Sequence, residues 1–498
     1  MSHNLYAQID RAAPADLGGT ALFDGGTEVS WRALQEQTAR LAALLRSLGL
    51  QRGDRVAVQV EKSPQSLFLY LACLRAGVAY LPLNTAYQRA ELSYFLNDAQ
   101  PRLVVCRPHA EAEARGLAGA AEVLTLDEVG SGSLTEAARD QPAVFETAQV
   151  AADDVAAIIY TSGTTGRSKG AMLTHRNLLS NARVLMQAWG FTAADVLLHA
   201  LPMFHVHGLF VANHCALLAG ARLLWHRKFD AQAVLRDLPR ATALMGVPTF
   251  YTRLLAEPGF TAQACRGVRL FVSGSAPLLL DTFEEFERRT GQRILERYGM
   301  SEAGMICSNP LHGERKGGTV GLPLAGVSLR IADERDRPLP AGRVGSIQIR
   351  GENVFQGYWR MPEKTREEFT ADGWFRTGDV GVLDADGYLS IVGREKDLII
   401  TGGYNVYPKE IELAIDALPG VLESAVVGLP HPDLGEAVTA VVVPRAGATL
   451  SAEGIIRALK RELANYKVPK RVILVPDLPR NAMGKVQKSA LRERHGAA

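Results

Sequence analysis

At 498 residues the chain is longer than one hydrophobic core ordinarily organises, so two or more domains are expected. Its 55 Lys and Arg nearly cancel its 53 Asp and Glu, and a net charge of +2 supplies no field for gathering nucleic acid or an anionic membrane, so an anionic ligand has to be held by local groups. The five cysteines (Cys73, Cys106, Cys215, Cys265 and Cys307) are scattered without close pairs, which argues against zinc knuckles, a CxxC redox site or a disulfide framework and fits a reducing cytoplasm.

The opening run MSHNLYAQIDRAAPADLGG carries acids and has no apolar stretch behind a basic cluster, so it reads as neither a signal nor a transit peptide. Next come DRVAVQV, SPQSLFLYLACLRAG, AYLPLN, RAELSYFLNDA and RLVVC, short Val/Ile/Leu-rich runs alternating with helical patterns. That rhythm predicts parallel strands with crossover helices, an α/β architecture. Ser63 followed by Pro64 makes a good N-cap and first turn for a helix. The most apolar segment, Leu67 to Leu83, is broken by Arg75, Gly77 and Pro82 and falls short of a membrane span of about 20 residues, so a buried helix followed by a strand is expected. Gly130 to Ser133 (GSGS) is expected to be a flexible surface loop.

From about Val327 the texture changes to SLRIADERDRPLPAGRVGSIQIRG, short strands between turn residues, which predicts a β-rich subdomain. It changes again after Gly393. The segment 394–397 reads as a hinge or as an ordinary charged turn. Residues 398–498, with helix IELAIDAL, strands ESAVVGLP and AVTAVVVP, helix IIRALKREL and strand RVILVPDLP, read as a small α+β domain. The expected organisation is a large N-terminal domain (1–393) of layered α/β sheets with a β-rich subdomain, the hinge, and the C-terminal domain.

Directly after the apolar run AAIIY comes Thr161-Ser162-Gly163-Thr164-Thr165-Gly166-Arg167-Ser168-Lys169-Gly170. Its three glycines let the backbone approach a ligand closely, its five hydroxyls can donate hydrogen bonds, and Lys169 adds charge on a flexible stem, which suits a phosphate cradle. The spacing is not GxxxxGK[ST], so a P-loop nucleotidase is not implied. A plain Gly/Ser/Thr linker is the competing reading, although linkers seldom follow a buried strand so abruptly.

The run YTSGTTGRSKG (160–170) resembles the signature of the adenylate-forming superfamily of acyl-CoA synthetases, luciferases and peptide-synthetase adenylation domains. The resemblance extends over nearly the whole chain through PMFHVHG (202–208), SGSAP (273–277), YGMSE (298–302), TGD (377–379), GREKD (393–397), TGGYNVYPKEIE (401–412) and PRNAMGKVQK (479–488). It implies ATP-dependent activation of a carboxylic acid as an acyl-adenylate, with Mg2+ accompanying ATP and CoA as co-substrate. Joining two anions requires a catalyst that reduces repulsion between carboxylate and α-phosphate, aligns the attack and stabilises the departing pyrophosphate.

On this resemblance Lys169 and the loop Thr161 to Gly166 hold the outer phosphates, and Glu302 helps hold magnesium, a hard cation that favours carboxylate and phosphate oxygens. Tyr298, Gly299, Met300 and Ser301 (where threonine is more usual) line the adenine on one side, and the backbone of Ser273, Gly274, Ser275, Ala276 and Pro277 covers it on the other. Asp379 accepts the ribose hydroxyls, and Arg394 reaches ribose or phosphate. Lys485, which composition alone would make a solvated surface charge, becomes the lysine that bridges carboxylate and α-phosphate oxygens, with Asn481 where the family often has threonine. The domains close for adenylation, and the mobile C-terminal domain then swings about Lys396 for the thiol step, with Gly402 and Gly403 lining the pantetheine tunnel.

The acid is approached through MGVPTFYTRLL (245–255). Thr249 reads as an N-cap, which would place Arg253 near a helix N-terminus, where the dipole disfavours a cation by about 0.3–1 kcal/mol. A second carboxylate on the substrate, gripped in a bidentate fork, would compensate. A surface arginine, or one paired with a nearby acid, is the alternative. The runs EKSPQSLFLYLACLRAGVAYLPLNTAY, MGVPTFYTRLL, ERYGM and GYWRMPEKT resemble malonyl-CoA synthetases in particular, so malonate is the expected acid and methylmalonate a further one. His205 corresponds to the family histidine at the acyl pocket. His207 has no role to transfer, and HVH lacks the nearby Cys or carboxylate that would complete a metal site. A ligase of the same fold for short-chain or aromatic monocarboxylates, and a non-catalytic nucleotide-binding protein, are the competing readings. A cytoplasmic location is expected, with neither nucleic acid nor membrane as partner, and the oligomeric state stays open.

Overall fold

The computed structural model describes residues 3–161, 168–401, 404–432, 434–481 and 484–496. Two compact units emerge, Met1–Ser328 with Arg350–Phe369 and Leu329–Ile349 with Thr370–Ala498. In this division the β-rich stretch goes with the C-terminal residues.

The strand–helix alternation becomes two sheets in the first unit. One runs in the order Gly357–Tyr358, Lys169–Thr174, Val155–Thr161, Ala79–Pro82, Arg55–Gln59, Leu103–Cys106, Glu122–Thr125. From Val155–Thr161 to Glu122–Thr125 every pairing is parallel, as crossover helices require, whereas Lys169–Thr174 folds back antiparallel on Val155–Thr161. Between Arg55–Gln59 and Ala79–Pro82 lies the helix Pro64–Ala76, buried on nearly all sides because it is apolar all round. Ser63 Oγ accepts from Ser66 N at 3.3 Å, Ser66 Oγ accepts from Ser63 N at 3.1 Å, and Gly77 closes the helix at φ 73°.

The other sheet has the order Thr27–Ser30, Thr20–Asp24, Arg222–Trp225, Val196–His199, Ala243–Gly246, Leu270–Ser273, Leu295–Met300, Gly304–Ser308, Leu322–Pro323. Its strands are parallel from Thr20–Asp24 to Leu295–Met300. Their carboxyl ends therefore emerge on one side, where open α/β sheets bind ligands.

The GSGS run is not a flexible loop. Val129 N and Ser131 N both donate to Asp127 Oδ1 (2.9 and 2.8 Å), Ser133 begins the helix Ser133–Arg139, and a Cβ on Gly132 would sit 2.3 Å from Thr125 O. An aspartate-capped turn and a close backbone approach demand these glycines.

The second unit is built on the sheet Ser328–Ala332, Gly345–Arg350, Phe375–Leu383, Leu389–Arg394 and on a further sheet in the order Tyr404–Val406, Ile399–Thr401, Gly435–Pro444, Val421–His431, with Arg471–Leu474 parallel to Gly435–Pro444. Period-two alternation gives the latter sheet a core on each face. Val426, Val438 and Val442 pack with Ile411, Ile415, Ile455 and Leu459 of the helices Pro408–Asp416 and Ala452–Leu459. Ala425, Val427 and Val441 pack with Leu491 of Lys488–Gly496. The whole is a mixed α/β protein with large N-terminal sheets and a small C-terminal domain. Among the described residues no helix is long and apolar enough to cross a membrane.

Candidate active site

Ser162, Gly163, Thr164, Thr165 and Gly166 lie outside the described residues, but both ends of their loop are defined. Thr161 closes one strand, and its Oγ1 is 3.4 Å from Glu302 Oε1. Lys169 is not on a flexible stem. It opens the antiparallel partner strand, is buried, and holds its amine 3.0 Å from Glu368 Oε1 and 4.3 Å above the Tyr358 ring. Glu302 is buried as well and accepts from the Tyr358 hydroxyl at 3.1 Å. The structure thus brings Thr161, Lys169 and Glu302 to one corner, together with Tyr358, which stands in the run GYWRMPEKT without an expected role, and Glu368, which no motif covers. Among the described residues no group of three or more His, Cys, Asp or Glu could hold a metal, the HVH pair included. A single carboxylate suits Mg2+, which is usually held by one or two carboxylates and the phosphates it accompanies.

A second cluster forms where Leu270–Ser273 runs into the turn 274–277. Ser275 sits at φ 71°, a left-handed conformation that costs a residue with a Cβ about 1–3 kcal/mol. Its Oγ is 3.3 Å from His207 Nδ1. Gly274 is glycine for a steric reason, since a Cβ there would lie 2.4 Å from Cζ of Arg297. Arg297 is only 3% exposed, and among the described residues its Nε and Nη2 have no hydrogen-bond partner. Burial pushes it down to about 9, so it is still a cation at neutral pH. The fields of Tyr251 and of the neighbouring Glu296 oppose that push, so the unmet demand is for hydrogen-bond acceptors at Nε and Nη2. His207 is held neutral by burial and by the Arg297 charge, and its Nε2 also lacks a partner among the described residues. His205 Nδ1 accepts from His207 N at 3.2 Å. Tyr298, half-buried, follows Arg297 on the strand Leu295–Met300, so alternation turns it to the opposite face.

Thr249 is not an N-cap. The helix is Pro248–Ala256, with Val247 as its N-cap and Pro248 in its first turn, because proline's fixed φ starts a helix earlier than the hydroxyl would. Arg253 is therefore exposed in the last turn, where the dipole favours a cation. The electrostatic conflict that set Arg253 apart does not exist.

The third cluster belongs to the second unit. Asp379 is buried, faces Arg394 across the paired strands and lies 2.9 Å from Arg394 Nε. Thr377 steadies it, donating to Ile347 O at 2.9 Å and accepting from Asp379 N at 3.1 Å. The Lys485 turn is closed by Asn481, whose Oδ1 accepts from Lys485 N at 3.0 Å and whose N donates to Lys485 O at 2.9 Å. Lys485 is exposed as a residue, yet its amine is crowded by protein: desolvation first, then the charge of Arg394, pushes it down to about 8 against the opposing pull of Asp379. Lys396, in the tight turn Glu395–Asp397, is pushed down by burial and by Arg394. Asp379, Arg394, Lys396 and Lys485 are thus together, while Gly402 and Gly403 lie outside the described residues.

The model of the AMP-binding enzyme family matches residues 9–359, and that of the AMP-binding enzyme C-terminal domain matches 410–485. The chain belongs to the AMP-binding enzyme family. It is 53% identical to ATP-bound MatB from Rhodopseudomonas palustris, covering 100% of this chain and 99% of that one, with a TM-score of 0.98. It is 38% identical to the feruloyl-CoA synthase of an Amycolatopsis species, over 96% of each chain. It is also 38% identical to the malonate–CoA ligase of Arabidopsis thaliana, over 89% of this chain and 78% of that one. The protein is an acid–thiol ligase of the acyl-CoA synthetase type, with ATP and CoA as substrates.

Proposed function

We propose that the protein is a malonate–CoA ligase. Malonate and ATP form malonyl-AMP and pyrophosphate, and the CoA thiol then displaces AMP to give malonyl-CoA, with methylmalonate as a further acid. The observation that carries the choice of acid is Arg297, a cation sealed beside the turn 274–277 with Nε and Nη2 unpartnered among the described residues. Those two N–H groups suit one carboxylate in a bidentate fork. A monocarboxylate bound by its reacting end would leave them unpaired; a dicarboxylate satisfies them and keeps its other end for the α-phosphate. The distal carboxylate is accordingly assigned to Arg297 rather than to Arg253. The plant malonate–CoA ligase supports this reading, and the equally similar feruloyl-CoA synthase keeps an aromatic monocarboxylate as the rival.

The remaining roles follow from charge and position. Lys169 and the backbone of 161–166 bind the outer phosphates, and Glu302 is placed to share Mg2+ with them. The cation, when bound, neutralises phosphate charge. Tyr298, with Gly299, Met300 and Ser301 after it, and the turn Ser273 to Pro277 flank the adenine, and His205 borders the acyl group. Asp379 exchanges part of its bond with Arg394 for the ribose hydroxyls. The Lys485 ammonium binds the reacting carboxylate and the α-phosphate together, lowering their repulsion. Lys396 serves as the pivot between half-reactions, and Gly402 and Gly403 line the thiol's path.

ATP–pyrophosphate exchange with malonate, methylmalonate, propionate and ferulate tests the proposal. Malonate should support the fastest exchange. Faster exchange with propionate or ferulate would transfer the chain to the monocarboxylate ligases.

A further inference from the structure

Lys62 belongs to the EKSP run and has no place in the chemistry above. It leaves the end of strand Arg55–Gln59 in one sheet and reaches His199, the last residue of Val196–His199, in the other. The side chain is buried, and its donors are used: Nζ is 2.8 Å from His199 Nδ1, 2.8 Å from His199 O and 4.2 Å above the Trp225 ring. His199 Nε2 is 2.9 Å from Gly208 O, which can only accept. The imidazole therefore carries its proton on Nε2 and offers the Nδ1 lone pair to Lys62, so the Gly208 carbonyl and the lysine hold one tautomer between them.

Gly208 is the point at which this relay grips the segment Pro202 to Gly208. A Cβ there would lie 2.1 Å from Pro202 O, so the segment closes on itself at Gly208. Gly208 O also receives Asn213 Nδ2 at 3.0 Å, and Leu209 N donates to His205 O at 2.8 Å, within the irregular helical turn His207–Ala212. One residue before Gly208 is His207, bonded to Ser275 beside Arg297. A polar path of four residues thus leads from a buried lysine to the acid cluster.

We infer that Lys62 and His199 are a positioning pair for the acid: through the His199 Nε2 bond to Gly208 they set the placement of His205 and His207, and with it the affinity for the carboxylate substrate. Neither residue touches the reacting atoms. The inference rests on the assignment of the His205–His207 segment to the acid site, and the identity of the acid does not enter it.

Lys62→Met, which keeps the stem and removes the donors, should raise KM for the acid about tenfold, as the loss of buried hydrogen bonds implies, and leave KM for ATP within about twofold. Exchange is measured with malonate and, separately, with propionate. Activity of the wild type on propionate alone refutes the malonate reading and leaves this test intact. His199→Gln retains a donor for Gly208 O and should keep much of the affinity that His199→Leu loses, and Lys62→Met added to His199→Leu should bring little further change. Equal increases in both KM values, an unchanged acid KM with only a lowered melting temperature, or identical behaviour of the Gln and Leu variants would overturn the inference. Should Lys62→Met not fold, the two His199 variants decide.

Discussion

The molecule's two centres of positive charge are built on opposite plans. In the first unit Arg297 is sealed against Gly274, with neutral His207 nearby and two of its nitrogens unpartnered among the described residues. In the second, Asp379 is already bonded to Arg394, and Lys485 and Lys396 share its surroundings. One centre keeps two buried N–H groups open among the described residues; the other pairs its carboxylate internally and retains an excess of positive charge. A buried donor left unpaired by the wrong ligand discriminates strongly, whereas a partly exposed, self-paired cluster exchanges partners at little cost. On the proposed reading, choice of acid belongs to the first plan and passage through successive steps to the second.

The hardest blow to this contrast is Lys485→Ala. Adenylation, followed as ATP–pyrophosphate exchange, should drop by about 10²–10³-fold, the usual effect of deleting one transition-state donor, while thioester formation from supplied malonyl-AMP survives. Equal loss in both half-reactions removes Lys485 from adenylation.

Next in size is Arg297→Met, expected to lower kcat/KM for malonate by about 10²-fold more than for propionate. Arg253→Ala should affect both acids alike. If the selectivity of these two variants is reversed, the distal carboxylate belongs at Arg253.

A pH profile sharpens the second half of the contrast. Lys485, proposed to work as an ammonium, is pushed down to about 8, so adenylation should decline as pH rises through that value. Lys485→Arg, charged throughout, should carry the decline to higher pH in whatever activity remains. A limb that stays in place belongs to another group.

The smallest effect lies at Asp416, whose carboxyl burial pushes up to about 6 although Ser424 Oγ is 2.7 Å away. Its folded-state value is above the unfolded one, so the native state binds the extra proton and stability is lost as pH rises through about 6. Asp416→Asn should raise the melting temperature at neutral pH and leave it unchanged in acid. A lower neutral value would show that the fold prefers the charged form.

What the sequence made legible was local. Ser63-Pro64 announces a helix because hydroxyl and ring act within one turn, and the segment Leu67 to Leu83 divides into Pro64–Ala76 and Ala79–Pro82 where Gly77 allows the reversal. Asp379, Arg394 and Lys485 are visible as motif residues, but their grouping depends on strand register and on a turn near the C-terminus. Arg297 stood inside the quoted run ERYGM, and nothing in that run told of its burial, which Gly274 makes possible from another strand's end. Lys62 and His199 meet across 137 residues of chain, beyond any pattern of spacing. At Thr249 and in GSGS the local signals themselves misled: proline outcompeted the threonine as helix starter, and glycines that suggested freedom are confined by Asp127 and Thr125.

Gly274 and Arg297 share one volume, and this dictates a mutational order. A side chain at position 274 collides with the guanidinium as long as it is present, and becomes admissible once a smaller residue replaces it. With the distal carboxylate at Arg297 as proposed, a route from a dicarboxylate to a monocarboxylate whose apolar end fills the space over this strand changes 297 first and 274 second. The opposite order passes through an intermediate in which the new side chain and the guanidinium collide.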